Sequence, residues 1–276
     1  MAVAVLTLAA LAVLVPVGLG LAVRVPATDR DTAWLAGGTL PAAEQVRDVY
    51  RRYLVRHRSY RLAAAWFGAL LAVVVGVTAE GGVHAGIGRG SPLADVWFCA
   101  VAGILLGALL AESYRLSQPR GTVATASLAP RPAPGETGRV VAARVLAAAS
   151  LATGAGVLAA AGDATSLAVA VGGSALVGVA ELTRSAIRSR RRPVMSEQAG
   201  EVDVRLRSYA WRAVAHLELA AAALALGWAV SKTPSPGGPL TTVVVLVLLV
   251  LAVVELHRAR PRPPRSFVPV QEPAVP

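Results

Sequence analysis

Lysine occurs once in the 276 residues, at Lys232, and cysteine once, at Cys99. A lone thiol forms no intrachain disulfide, and the scattered histidines have no Cys/His spacing that would hold a metal. Cys99 lies inside an apolar run and reads as a small buried side chain. The chain has no G-x-x-x-x-G-K-[ST], no H-E-x-x-H and no G-x-S-x-G. Those gaps remove the P-loop, zinc-protease and serine-hydrolase readings. "GIGRG" at 86–90 has no strand before it, so it fails as a phosphate loop, and Glu80 with His84 is too few for a metal site. No catalytic constellation is left, so the sequence points away from an enzyme and calls for no cofactor.

What is abundant is apolar sequence in blocks. Seven runs, at about 2–23, 62–79, 94–111, 145–161, 165–180, 213–230 and 240–254, approach the roughly 20 residues that cross a hydrocarbon core of about 30 Å. The expected fold is therefore all-α: a polytopic membrane helical bundle of seven transmembrane helices. The first run has no positive charge before it and is longer than a signal-peptide core, so it reads as a retained helix, with a kink expected at Pro16.

The formal net charge is +11, from 26 Arg, one Lys and 16 acidic residues. Such a charge invites a nucleic-acid reading until it is placed. Only Arg89 and Lys232 fall in loops on one side; the other basic residues fall on the opposite side or at its boundary. That asymmetry is the positive-inside bias of a membrane protein. It puts the N-terminus outside and the C-terminus inside the cytoplasmic membrane, with no nucleic-acid partner. The expected partners are the bilayer, its anionic headgroups at the Arg-rich inner face, and a membrane or cytoplasmic protein.

The layout is then a first transmembrane helix at 1–23 and a basic cytoplasmic segment at 24–61. A six-helix membrane bundle follows at 62–256, and a Pro/Arg-rich cytoplasmic tail at 257–276. Within the basic segment, 41–60 reads as a helix. Val46, Val49, Tyr50, Tyr53, Leu54 and His57 recur at steps of three and four, with arginines filling most of the rest. Such a helix either lies on the membrane surface or extends the second membrane helix. The tail reads as extended and solvated.

The bundle reads as three hairpins. The third, fifth and seventh runs each end in Glu-x-x-Arg: Glu112 with Arg115, Glu181 with Arg184, Glu255 with Arg258. The second, fourth and sixth each begin behind an arginine: Arg61, Arg144 and Arg212. A carboxylate near a helix C-terminus is opposed by the helix dipole and by desolvation, so it needs a cation. The expected structural ion pairs close each hairpin at its inner mouth: Arg61 with Glu112, Arg144 with Glu181, Arg212 with Glu255. The competing reading is a charged ring that gates ions or docks a partner.

His216 and Glu218 lie deeper in the sixth run. Intramembrane ionisable groups are candidates for substrate or ion binding. Two residues apart is about 200° around a helix, so they face opposite ways. The plainer reading of Glu218 is a buried carboxyl, protonated or bonded to Arg144. Gly103 with Gly107, and Ser174 with Gly178, have the small-x-x-x-small spacing of close helix contacts.

Through "RRYLVRHRSYRLA", "AESYRL" followed by "ASLAPR", and the Arg-rich lead into "SYAWRAVAHLELAAA", the chain resembles uncharacterised multi-span membrane proteins of high-GC Gram-positive bacteria. The resemblance implies an envelope location and no reaction. The function expected is that of a non-catalytic regulatory or scaffold component. The alternative is a small-solute or ion transporter or channel with Glu218 in its pathway.

Overall fold

A computed structural model describes residues 26–80, 92–113, 137–189, 197–234 and 239–270. It contains helices α1 (Asp29–Leu35), α2 (Glu44–Glu80), α3 (Pro92–Ser113), α4 (Thr137–Ala161), α5 (Thr165–Ser189), α6 (Glu197–Ser231) and α7 (Pro239–Arg258). Among the described residues, extended pairing is limited to one bridge, between Thr39 and Val270.

Among the described residues the regular structure is all-helical, and five helices, α3 to α7, are long and apolar enough to cross a membrane. The second apolar run, 62–79, is helical within α2. The first run with Pro16, the centres of the 80–93 and 112–144 loops, and Arg115 lie outside the described residues.

Helix α6 is the hub. It packs against α3, α4, α5 and α7, while α2 packs chiefly on α3. In its apolar stretch 72% of residues are buried, against 22% in α7. Its sequence explains the position: Ala213, Ala215, Ala220, Ala221, Ala222 and Ala223 leave no side too bulky for a neighbour, and all are buried. A helix that is apolar all round belongs inside a bundle. The surrounding helices turn large apolar side chains outward, among them Phe67, Leu182 and Val247, as a lipid-facing surface requires. Phe98 and Trp228 stack with centroids 5.5 Å apart, fastening α3 to α6.

Small residues set two of the contacts. A Cβ at Gly103 or Gly107 would collide with the backbone carbonyl of Ala64 or Tyr60, and one at Gly68 with that of Cys99. The expected G-x-x-x-G of α3 is thus pressed against α2. The spacing read at Ser174 and Gly178 does not work that way, because Gly178 faces open space. The close approach in α5 is at Gly173, against Ala225.

Of the two readings of residues 41–60, the structure has the one in which they extend the second apolar run. α2 is continuous over 37 residues, about 55 Å at 1.5 Å per residue, so its N-terminal half projects beyond any bilayer-spanning part. α6 begins at Glu197, sixteen residues before the apolar run at 213. The two projections pack together: Val49, Tyr50, Tyr53 and Leu54 of α2 bury against Leu35, Val202 and Leu206. The apolar stripe of 41–60 is covered by protein instead of by a membrane surface. α1, a helix that the reading of 24–61 did not contain, completes this unit. Thr28 and Asp31 cap its N-terminus reciprocally. Its chain leaves through Gly37 and Gly38 at φ of 100° and 120°, backbone that glycine adopts without strain.

The tail differs from its expectation. Residues 259–270 are tied back onto this unit by hydrogen bonds, although many of their side chains stay exposed. Arg30 donates to the carbonyls of Pro264, Arg265 and Phe267, and Val270 N–H donates to Gly38 O. A proline-rich segment leaves carbonyls unpaired, and one guanidinium fork collects three of them.

Candidate functional site

The charged groups gather at the arginine-rich end of the bundle, in three clusters, one per hairpin. In the first, Glu112 of α3 is only 2% exposed. Tyr53 Oη donates to its Oε1 at 2.8 Å, and His57 Nε2 lies 3.2 Å from the same oxygen. Tyr53 and His57 are one turn apart on α2, with ring centroids 4.5 Å apart. Arg61, the expected partner, turns elsewhere and donates from Nη2 to Ala259 O at 2.7 Å. Tyr209 Oη donates to that carbonyl too, at 3.1 Å. The end of α7 is therefore tied to α2 and α6. Burial pushes His57 below the ordinary imidazole value, against the opposing pull of Glu112.

In the second cluster Arg144 of α4 meets Glu181 of α5 as expected, with Nε and Nη2 both 2.7 Å from Oε1. Arg184 pairs with the other oxygen of Glu181 and reaches Glu218 Oε2 of α6 at 3.4 Å. Its guanidinium lies 5.9 Å from the centre of the Trp211 ring. Arg184 is thus shared by two carboxylates from two helices. The side chain of Glu218 has no solvent-accessible surface, whereas that of Arg144 is 61% exposed. The cation of Glu218 is Arg184, not Arg144.

In the third cluster His216 Nδ1 of α6 lies 2.5 Å from Glu255 Oε2 of α7, and Arg258 Nη1 donates to Oε1 at 2.7 Å. Arg212, the expected partner, donates to Ser208 O within its own helix. His216 and Glu218 do face different neighbours, α7 and α5.

Each described exit carboxylate is held by the entry helix of its own hairpin, but by arginine only in the second. In the first and third a histidine takes the place, one turn from the arginine that the sequence offers. The local Glu-x-x-Arg contact is present at Glu181 and Glu255. Sequence reasoning missed His57 and Tyr53 as partners of Glu112, although their step of four put them on one face with Arg61. Among the described residues no group of three or more His, Cys, Asp or Glu could hold a metal ion.

Below the first cluster, Arg58 Nη2 pairs with Asp31 at 2.7 Å. Arg51 reaches Asp29 at 2.8 Å and Glu44 at 3.2 Å. Burial raises the pKa of the Asp31 carboxyl, but the Thr28 N–H and Arg58 outweigh it and hold Asp31 below its ordinary value. These pairs clamp α1 onto α2. No protein-family model matches the chain, and neither a curated protein nor a solved structure was found to match it.

Proposed function

We propose that the chain is a non-catalytic regulatory or scaffold component of the cytoplasmic membrane. It would have seven spans, with the basic end inside. The observation that carries this reading is the folded collar at that end. α1, the N-terminal half of α2, the first turns of α6 and residues 259–270 pack into one structure beyond the membrane-crossing stretches. Crossing a bilayer needs none of it. An ordered, arginine-studded platform offers partners a surface, and arginine is the cation best suited to carboxylate and phosphate contacts.

The alternative, a transporter or channel, draws on Arg184 standing between Glu181 and Glu218. Against it, Glu218 meets no solvent-accessible surface, and a transport pathway needs water or substrate to reach its charged group. Gentle solubilisation tests the preferred reading. A stoichiometric partner should co-purify with the wild type and with Glu218→Gln, and be lost from Arg52→Glu, a change on the exposed face of the collar. A proton or ion flux in proteoliposomes that Glu218→Gln abolishes would overturn it in favour of transport.

A further inference from the structure

A cavity of about 250 Å³ opens between α2, α3 and the segment after α7. Arg58, Arg61, Arg260 and Arg262 line it, and among the described residues no carboxylate does. Its floor is apolar, with Leu62 and Ile104. Four guanidinium groups around one hollow repel each other, and a fold keeps such an arrangement only with compensation. Asp31 neutralises Arg58 from behind. Among the described residues Arg260 and Arg262 have no acidic partner within ion-pair distance, and burial, then the neighbouring Arg262, disfavour the charge of Arg260.

Arg61 is the telling residue. It is 7% exposed, and one of its nitrogens is satisfied by Ala259 O. Its Nε and Nη1 are buried with no hydrogen-bond partner among the described residues. Buried guanidinium donors left unpaired are costly, and native proteins rarely tolerate them unless something else takes the bonds.

We propose that this cavity binds a phosphate group, with its oxygens accepting from Arg61, Arg260 and Arg262. The planar fork of arginine matches phosphate oxygens two at a time. The depth fits an anionic phospholipid headgroup. Arg61 immediately precedes Leu62, where the apolar run of α2 begins. A phosphate held at Arg61 would rest its glycerol carbons on Leu62 and Ile104. A free phosphate or phosphomonoester has the same recognition chemistry without the apolar contact. The site does not depend on whether the protein is a scaffold or a transporter. It also places the ligand between α2 and the tail, so occupancy would fasten residues 259–262 to the bundle.

The test uses the full chain in nanodiscs of phosphatidylcholine alone or with phosphatidylglycerol, and separately in neutral detergent with inorganic phosphate. Bound lipid is counted by native mass spectrometry, and affinity is read from thermal shift. Wild type should retain phosphatidylglycerol at least tenfold more tightly than the Arg260→Gln/Arg262→Gln double variant. Both positions lie beyond α7, so the variant should fold. Arg47→Gln, whose partner is Glu44 on the exposed face of α2, should bind like wild type. A shift with phosphatidylglycerol but not with inorganic phosphate assigns the site to a headgroup. An equal shift with both assigns it to a free phosphate. No shift with either, or an undiminished shift in the double variant, overturns the site.

Discussion

His216 Nδ1 sits 2.5 Å from Glu255 Oε2, one turn away from Arg212, the arginine that opens the same hairpin. Arg212 instead bonds its own helix at Ser208 O. Glu255 is 3% exposed, so loss of an aligned partner is felt strongly. His216→Ala should cost about 1–3 kcal/mol, and Arg212→Ala under about 0.5 kcal/mol. Thermal unfolding in a mild detergent measures both. A larger loss from Arg212→Ala than from His216→Ala would mean that the arginine, not the histidine, closes this hairpin.

The second hairpin makes an internal comparison. Arg144 and Arg184 both pair with Glu181, but among the described residues only Arg184 also lies within ion-pair distance of buried Glu218. Arg144 is largely exposed, so Arg144→Gln should cost about 1 kcal/mol or less. Arg184→Gln leaves a carboxylate buried without its cation and should cost about 3–5 kcal/mol. Adding Glu218→Gln should recover a large part of that loss, because the uncompensated charge goes with it. A double variant no better than Arg184→Gln alone would show that Arg184 acts through Trp211 packing instead.

Two groups outside the helices that are apolar enough to span a membrane, His57 and Asp31, contribute to the acid response. His57 is held below its ordinary value of 6.5, so the unfolded chain takes up a proton first. Stability falls as pH drops below 6.5 and stops falling at the lower folded value. Asp31 is held below its ordinary value of 3.8. Its contribution is present above 3.8 and is lost as pH falls through the folded value. Trp34 stands edge-on to Tyr209 at 5.8 Å, so its fluorescence reports release of α1. Wild type should show a transition below pH 4 that Asp31→Asn abolishes. An unchanged transition in that variant would detach Asp31 from the acid response.

The helices long and apolar enough to cross a membrane are legible in the sequence because lipid tolerates only such helices. The runs at 94–111 and 240–254 match α3 and α7 to within a few residues. The collar is less legible. Val202, Leu206 and Tyr209 have helical spacing, but Arg205 and Arg207 stand between them, and an apolar window discards such a stretch. The tail misleads because its contacts are backbone carbonyls offered to a distant Arg30, which no local pattern records. At the hairpin mouths, charge complementarity locates the carboxylates but not their partners. A helix turn separates Arg61 from His57 and Arg212 from His216, and only the rotation of packed helices decides which of each pair reaches inward.

Orientation is the last expectation. Residues 24–61 carry eight arginines, and the 80–93 loop carries one. The excess of Lys and Arg in short loops fixes which side stays in the cytoplasm, so the basic collar should be inside and residue 86 outside. The single native thiol makes the experiment clean. In a Cys99→Ser background, a membrane-impermeant maleimide added to intact cells should modify Gly86→Cys and spare Thr125→Cys. After permeabilisation both should react. The reverse labelling would put the collar outside the cell. Its arginines would then face no cytoplasmic partner, and the phosphate cavity would open toward the outer leaflet.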